Sequence, residues 1–230
     1  FPGLDLGYRF SERFKLYGNI GYTYRVPTFT DLYYVGRNEI GNPDLKPESA
    51  LSEEIGFKYA TGSFNFNLAL FNRDAKDLID WAKDNPNDTE EKWEARNFSK
   101  VSTTGFEIDL VYKFSLWNFG QKFNLGYSFI EDENKDEYTR YALNSIKHQL
   151  TSAIDFKFSK LFSQNISYRY VERSRGETYS ILDAKILADL PNRIGFSLSA
   201  NNIFNTAYTE TNLVPMPKGN LMLGLSYKFY

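Results

Sequence analysis

The chain has 230 residues, with 27 Lys and Arg against 29 Asp and Glu, a formal net charge of −2, one His and no Cys. That balance gives no electrostatic reason to expect a nucleic-acid partner, and the missing thiols exclude disulfides, thiolate metal sites and thiol catalysis. Aromatic residues make up 17% of the chain, with 17 Tyr and 20 Phe against 2 Met, so its apolar content sits in side chains that favour strands and interfaces.

No apolar run approaches the roughly 18 residues of a membrane-spanning helix, so a membrane would have to be met with strands. The opening residues FPGLDLGYRF show no basic segment, apolar core or small-residue cleavage site of a secretory signal. They begin directly in an alternating pattern without an initiator Met, and the expectation is a chain cut from something longer.

In chain order, Leu4, Leu6, Tyr8 and Phe10 alternate with polar residues, and after Ser-Glu-Arg the pattern resumes as Phe14, Leu16, Gly18, Ile20, Tyr22 and Tyr24. A period of two on both sides of a short turn predicts a hairpin. The same alternation returns from Phe64 to Leu70, Phe106 to Phe114, Phe123 to Phe129, Leu150 to Phe158, Ile166 to Tyr170, Phe196 to Ala200 and Leu221 to Phe229. With weaker segments near 50–60 and 179–189, this gives about 11 strands and no convincing helical periodicity.

The opposite phase is polar throughout: Asn65 and Asn67, Glu107 and Asp109, Lys122 and Asn124, Gln149 and Thr151, Ser197 and Ser199. Short connections (SER, TGS, SLWNFGQ, SKL, LPNR) alternate with mostly long ones near 27–48, 82–95, 131–145, 172–178 and 204–218. Long loops at one end only, with Phe10, Phe14, Tyr59, Phe64, Phe114, Phe123, Phe158 and Phe162 beside the short turns, favour an outer-membrane barrel with an aromatic girdle over a soluble sandwich. An odd strand number leaves two unpaired edges, which lipid does not tolerate, and the missing strands are expected before Phe1.

Together YRVPTFTDLYY, GNPDLKPE, FNRDAKDLIDW, NFSKVSTTGFEIDLVY, NNIFNTAYTE and the ending GLSYKFY resemble the C-terminal half of the barrel of TonB-dependent outer-membrane receptors, in the vitamin B12 and ferric-siderophore branch. The resemblance runs in order over essentially the whole chain. It implies an all-β fold: an antiparallel transmembrane β-barrel in which these strands form half of 22, with residues 1–230 as one C-terminal barrel portion lacking the plug domain and TonB box. It implies a segment of a receptor and transporter in a Gram-negative outer membrane, taking up a large chelate such as cobalamin, a ferric siderophore or haem. Its expected partners are a corrinoid or ferric-siderophore ligand, the TonB complex through the missing plug, the barrel-assembly machinery, and outer-membrane lipid with lipopolysaccharide. The alternative is a complete small barrel acting as a pore or adhesin.

Under this resemblance Tyr24 to Glu48 contains a long extracellular loop. Pro27, Pro43 and Pro47 stop ladder pairing, Asn42 with Pro43 favours a turn, and Arg25 and Glu48 either pair at the loop base or are separately solvated strand ends. Tyr33, Tyr34 and Arg37 at the loop tip are candidate ligand contacts or simply part of an aromatic membrane-surface loop. Trp93, Tyr138, Arg140, Arg173 and Arg175 are further candidates from other long loops, the last two equally suited to lipopolysaccharide phosphates or water.

Gly105 is expected to relieve crowding, and Glu107 and Asp109 to form an ionic lattice with Lys113 and Lys122 on the lumen wall. His148 reads as a girdle or rim residue with nothing converging on it, so neither a catalytic site nor an enzyme is expected. The acidic loops DNPNDTEEKWE and EDENKDEY read as solvated charge runs, and neither a metal nor a cofactor is expected. Gly224, Tyr227 and Phe229 resemble the insertion signal of outer-membrane barrels, with Tyr230 one residue out of phase.

Overall fold

Alternation at a period of two puts every apolar side chain of a strand on one face, and neighbouring strands must then pair in a register that keeps those faces together. The computed structural model, which describes residues 1–85, 87–133, 138–139, 145–210 and 214–229, does this across one sheet. The wall begins with β1 (Gly3–Arg9) and β2 (Phe14–Arg25), then a long connection holding helix α1 (Phe29–Tyr33) and the short β3 (Glu39–Ile40). It continues with β4 (Glu48–Ala60), β5 (Phe64–Lys83), β6 (Trp93–Leu116) and β7 (Phe119–Glu133), followed by the short β8 (Tyr138–Thr139). It ends with β9 (Ile146–Lys157), β10 (Phe162–Arg173), β11 (Thr178–Asp189), β12 (Ile194–Asn201) and β13 (Asn220–Tyr227).

The wall order is β1-β2-β4-β5-β6-β7-β9-β10-β11-β12-β13, each strand antiparallel to the next, and the sheet does not close on itself. The about 11 strands expected are these. The two extra strands are two-residue pieces inside the long connections, and β3 is the one parallel pairing among the described residues.

Register keeps the two faces distinct. Leu16 faces Phe57, Phe57 faces Leu68, Leu68 faces Ile108, and Ile108 faces Tyr127, an apolar row running straight across the strands. One residue along, Lys15, Lys58, Asn67, Asp109 and Gly126 form an equally continuous polar row. Leu16 in the apolar row is exposed and Phe57, Leu68, Ile108 and Tyr127 are half-buried, so no second protein layer covers them. No helix among the described residues is long and apolar enough to cross a membrane, which leaves crossing by strands untouched.

Three local expectations need correction. The connection 115–121 is mostly strand, and its turn is only Trp117 and Asn118, at φ 51° and 62°, the pair of positive values that a two-residue hairpin needs to match strand twist. Helix α1 was not anticipated, because five residues show no periodicity; its signal is the Thr28-x-x-Asp31 capping box. The ionic lattice is absent: among the described residues no ion pair links Glu107 or Asp109 to Lys113 or Lys122. Asp109 and Lys113 are four residues apart on one strand, roughly 13 Å at the strand rise, and Lys113 sits opposite Lys122 instead.

Gly105 does relieve crowding. Its register partners are Phe71 and Ile130, and a Cβ there would overlap the Phe129 carbonyl oxygen and lie 2.5 Å from Phe71 Cζ. Gly56 is the counterpart on the neighbouring pair, where the Tyr17 ring lies over the space a Cβ would take.

Candidate functional site: the cap above the wall

About 9–11 tilted residues cross a bilayer. Strands β5 and β6, with 20 and 24 residues, therefore leave about ten or more residues each beyond it as a free hairpin. Asp77, at φ 53°, marks the boundary, between the pairs Lys76 with Lys100 and Leu78 with Phe98. The hairpin has a small core of its own around this boundary, in which Ala82 and Phe98 beyond it and Val101 just before it are buried and Leu78 packs against them.

Two neighbouring connections attach to this hairpin. Glu39 and Ile40 of β3 pair with Trp93 and Glu94 on one edge, and the backbone of Tyr138 and Thr139 in β8 pairs with Lys83 and Ala82 on the other. The order above the wall is thus β3-β6-β5-β8, the reverse of the β4-β5-β6-β7 order within it. A free two-stranded ribbon twists more strongly than a broad sheet, and that twist exchanges its edges.

Asn97 secures the crossing: its Oδ1 accepts from the Lys46 N–H at 2.8 Å, and its Nδ2 donates to the carbonyls of Asp77 at 2.7 Å and Lys46 at 3.0 Å. Lys92 Nζ donates to the Gly36 carbonyl at 3.1 Å and the Trp93 N–H to that of Asn38 at 2.8 Å.

The loop base is an ionic network. Arg25 Nε donates to Glu48 Oε1 at 2.8 Å and Nη2 to Oε2 at 3.3 Å, while Nη1 reaches Asp31 Oδ2 at 3.3 Å. Glu48 Oε2 also accepts from the Ile79 N–H at 3.0 Å. Partial burial pushes the Glu48 carboxyl up, but the bonds from Arg25 and Ile79 outweigh it and hold the group below the usual carboxylate range. Arg25 is raised chiefly by its bonds to Glu48. Arg25 and Glu48 are therefore paired. Pro27 follows Arg25 after one residue, Val26; Asn42 Oδ1 accepts from the Asp44 N–H at 2.9 Å across Pro43, and Pro47 leads into Glu48.

The other candidates fall into different surroundings. Tyr33, Tyr34 and Arg37 are all exposed, and the Tyr34 ring lies over Gly36. Trp93 is half-buried with Lys83 Nζ 5.3 Å from its ring centroid. Arg96 in the hairpin bonds Asp84 and Glu94; those bonds raise the guanidinium and hold the Asp84 carboxyl low. Glu91 accepts from the N–H groups of Asp84 and Asn85 at 2.7 and 2.9 Å, so the acids of that loop serve its own folding. Most of the second acidic loop, and Arg140, lie outside the described residues, as does the side chain of Tyr138.

Arg173 belongs to a second cluster, where the connection after β12 folds back onto the polar face of β10 and β11. Val171, Tyr179 and Ile181 are buried there under Tyr208, whose ring centroid is 4.8 Å from that of Tyr179. Arg169 lies 5.8 and 5.9 Å from those two rings and bridges to Glu210 at 2.7 Å, and Arg173 Nη2 reaches the Glu210 carbonyl at 3.5 Å. Arg175 is exposed in the adjoining turn. Asn202, 3% exposed and at φ 47°, holds the start of this connection by accepting from the Thr206 N–H and donating to the Thr206 and Pro217 carbonyls.

His148 lies on the apolar face of β9, with Nδ1 2.8 Å from the Tyr127 hydroxyl and its ring against Phe129. Tyr227 and Phe229 project together, their centroids 5.1 Å apart, and Gly224 faces Ser197.

Sequence reasoning missed Phe29, Asp31 and Asn97. The first two were visible as the helix turn that the capping box announces. Asn97 had no local signal, because its partners are 51 and 20 residues away.

The family described as TonB dependent receptor-like, beta-barrel matches residues 1–214. A vitamin B12 transporter BtuB of Vibrio vulnificus is 22% identical over 240 residues, covering 98% of this chain and 36% of the relative. The siderophore receptor PirA of Acinetobacter baumannii shares the fold with a TM-score of 0.74 at 18% identity, over 99% of this chain and 41% of that one. The FrpB iron transporter of Neisseria meningitidis does so at 0.72 and 19%, over 99% and 39%. The chain spans less than half the length of each of these relatives. A sheet with one apolar and one polar face, long connections gathered at one end, and a match over nearly the whole length place this chain in the β-barrel family of TonB-dependent receptors.

Proposed function

We propose that this chain is the C-terminal portion of the barrel of an outer-membrane receptor that takes up a large metal chelate, cobalamin, a ferric siderophore or haem, with energy delivered through TonB. The observation that carries the reading is the cap above the wall. Two connections are tied to one hairpin above a wall whose other face is polar; in this reading they form one side of a vestibule over the lumen. Relatives named as a B12 transporter and as siderophore receptors support the ligand class.

In this reading the chain performs no bond chemistry. Tyr33 and Arg37, with Tyr34 and Trp93 around the cap and Arg173 and Arg175 on the second cluster, are the proposed ligand-facing set, and Tyr138 and Arg140 join it from the sequence alone. Arg25, Pro27, Asn42, Pro43, Pro47 and Glu48 hold the loop base, and Gly224, Tyr227 and Phe229 are the proposed contact for the barrel-assembly machinery. Outer-membrane lipid and lipopolysaccharide would meet the apolar face and its outer rim.

The test is uptake by cells expressing the full-length receptor as their only one, with radiolabelled cyanocobalamin, an iron(III) tris-catecholate and haemin, with and without TonB. Saturable uptake of one chelate that disappears without TonB is the expected result. Passive, TonB-independent passage of small solutes would favour the pore instead.

A further inference from the structure

The apolar face of β7, β9 and β10 ends, away from the short turns, in polar side chains that contact with lipid tails does not explain. These strands lie inside the wall with a neighbour on each edge, so strands beyond β1 or β13 do not reach them. The runs from Phe158 up to His148 and from Phe162 up to Glu172 are each about as long as the 9–11 tilted residues that cross the hydrocarbon. Register puts Phe106, Phe129, His148 and Glu172 in one row across the strands. The Phe106 ring centroid lies 5.6 Å from that of Tyr127 and 5.8 Å from that of Phe129, an aromatic layer of the kind that marks a headgroup zone.

A bulge sets the upper limit of this face. Glu172 pairs with His148, but Arg173 pairs with Ile146, and Lys147 is skipped. Ile146 accordingly packs against Val171, Tyr179 and Ile181 on the polar side. Lys147 reaches the other way, with Nζ 3.2 Å from Glu131 Oε1 and 6.0 Å from the Phe129 ring centroid. His148 and Glu172 are thus the last facing pair of β9 and β10 on the apolar side.

Their hydrogen bonds leave one donor and one acceptor side by side. With the Tyr127 hydroxyl donating to His148 Nδ1, 2.8 Å away, Nε2 carries the imidazole proton. The Tyr170 hydroxyl donates to Glu172 Oε2 at 3.0 Å, which leaves Oε1. Lys147 neutralises Glu131, whereas among the described residues no cation bridges Glu172. A carboxylate at the edge of hydrocarbon is costly without a counter-cation, and in that layer a lipid headgroup is what can bring one. Facing residues of an antiparallel pair stand about 5 Å apart, so a group that suits both carries an anionic acceptor next to an ammonium. A bare phosphate satisfies His148 but is repelled by Glu172.

Resting on the receptor reading above, which turns this edge outward, we infer that His148 and Glu172 seat a lipopolysaccharide phosphate that carries an ammonium group, of the phosphoethanolamine class. The imidazole N–H donates to the phosphate, and the Glu172 carboxylate accepts from the ammonium.

The test uses full-length receptor purified in mild detergent from native outer membranes whose lipid A is partly modified with phosphoethanolamine, with native mass spectrometry as the readout. One modified lipid A stays with the wild type, held about tenfold more tightly than added unmodified lipid A. Glu172→Gln and His148→Ala each remove that preference, and Gln164→Leu, on the same face beside the short turn, keeps it. Equal retention of the two forms overturns the inference, and this comparison on the wild type holds even where a variant fails to fold. Phosphatidylethanolamine retained in place of lipid A overturns the assignment to lipopolysaccharide. A preference that EDTA abolishes belongs to a bridging metal ion and overturns the headgroup contact. Any of these results with TonB-dependent uptake intact leaves the receptor reading standing; a chain recovered from cells without detergent overturns both.

Discussion

Gly105→Ala is the sharpest test of the wall geometry. The added Cβ meets the Phe129 carbonyl oxygen of the neighbouring strand and, at 2.5 Å, Phe71 Cζ. Carbon contacts are comfortable near 3.5–4 Å, so β6 and β7 must part by about 1 Å locally. Overpacking of that kind costs about 2 kcal/mol, and one weakened ladder bond about 1 more, for a total near 3 kcal/mol. Gly56→Ala is the control, because the nearest atoms its Cβ meets all belong to the Tyr17 ring, a side chain able to swing away. The assay is urea unfolding of full-length receptor in detergent, followed by loss of heat-modifiable migration. Gly105→Ala should lose about 3 kcal/mol and recover only part of it with Phe71→Ala, while Gly56→Ala should lose less and recover fully with Tyr17→Ala. A Gly105→Ala variant as stable as wild type would refute the register assigned to β5, β6 and β7.

Further expectations concern the loops. Glu48 is held below its ordinary value, so its contribution is present above about pH 4.5 and is lost as pH falls through the lower folded value; a nitroxide on Asn38 should gain mobility over that interval, and Glu48→Gln should show the gain already at pH 6. With Arg25 largely exposed, Arg25→Ala should cost only about 1 kcal/mol globally yet speed tryptic cleavage at Arg37 several-fold; unchanged cleavage would detach the network from loop order. Asn97→Ala removes two bonds joining the loop to the hairpin and one across the hairpin, and should likewise accelerate cleavage at Arg37 with little effect on urea unfolding. Asn202→Ala should lose about 2–4 kcal/mol in urea unfolding, since it strips a buried turn of its bonds and keeps a non-glycine residue at φ 47°.

The wall was legible in the sequence because a period of two survives any uncertainty about strand ends: the phases of Phe64 to Leu70 and Phe106 to Phe114 alone say which side each residue takes. The Arg25–Glu48 pair was legible only as one of two alternatives: Pro27 and Pro47 mark the two ends of the loop beside these residues, but nothing in the sequence says that their side chains meet. The cap was not, since Glu39 and Ile40 form a strand by meeting Trp93, far away in sequence and without alternation of their own. Helix α1 was overlooked for lack of length rather than lack of signal. The supposed lattice around Glu107 failed for a metrical reason: sharing a face is not sharing a contact when the strand rise separates the groups by several residues.

The claim underlying all of this is that one phase of the strands meets lipid and the other meets water. It is tested most directly by single cysteines at Phe106, Glu107, Ile108, Asp109, Leu110 and Val111 of β6 in full-length receptor in native outer membranes, each spin-labelled and measured for collision with oxygen and with a water-soluble nickel chelate. The account predicts strict alternation, with oxygen favoured at Phe106, Ile108 and Leu110 and the nickel chelate at Glu107, Asp109 and Val111. Nickel accessibility at all six positions, or oxygen preference without a period of two, would contradict it.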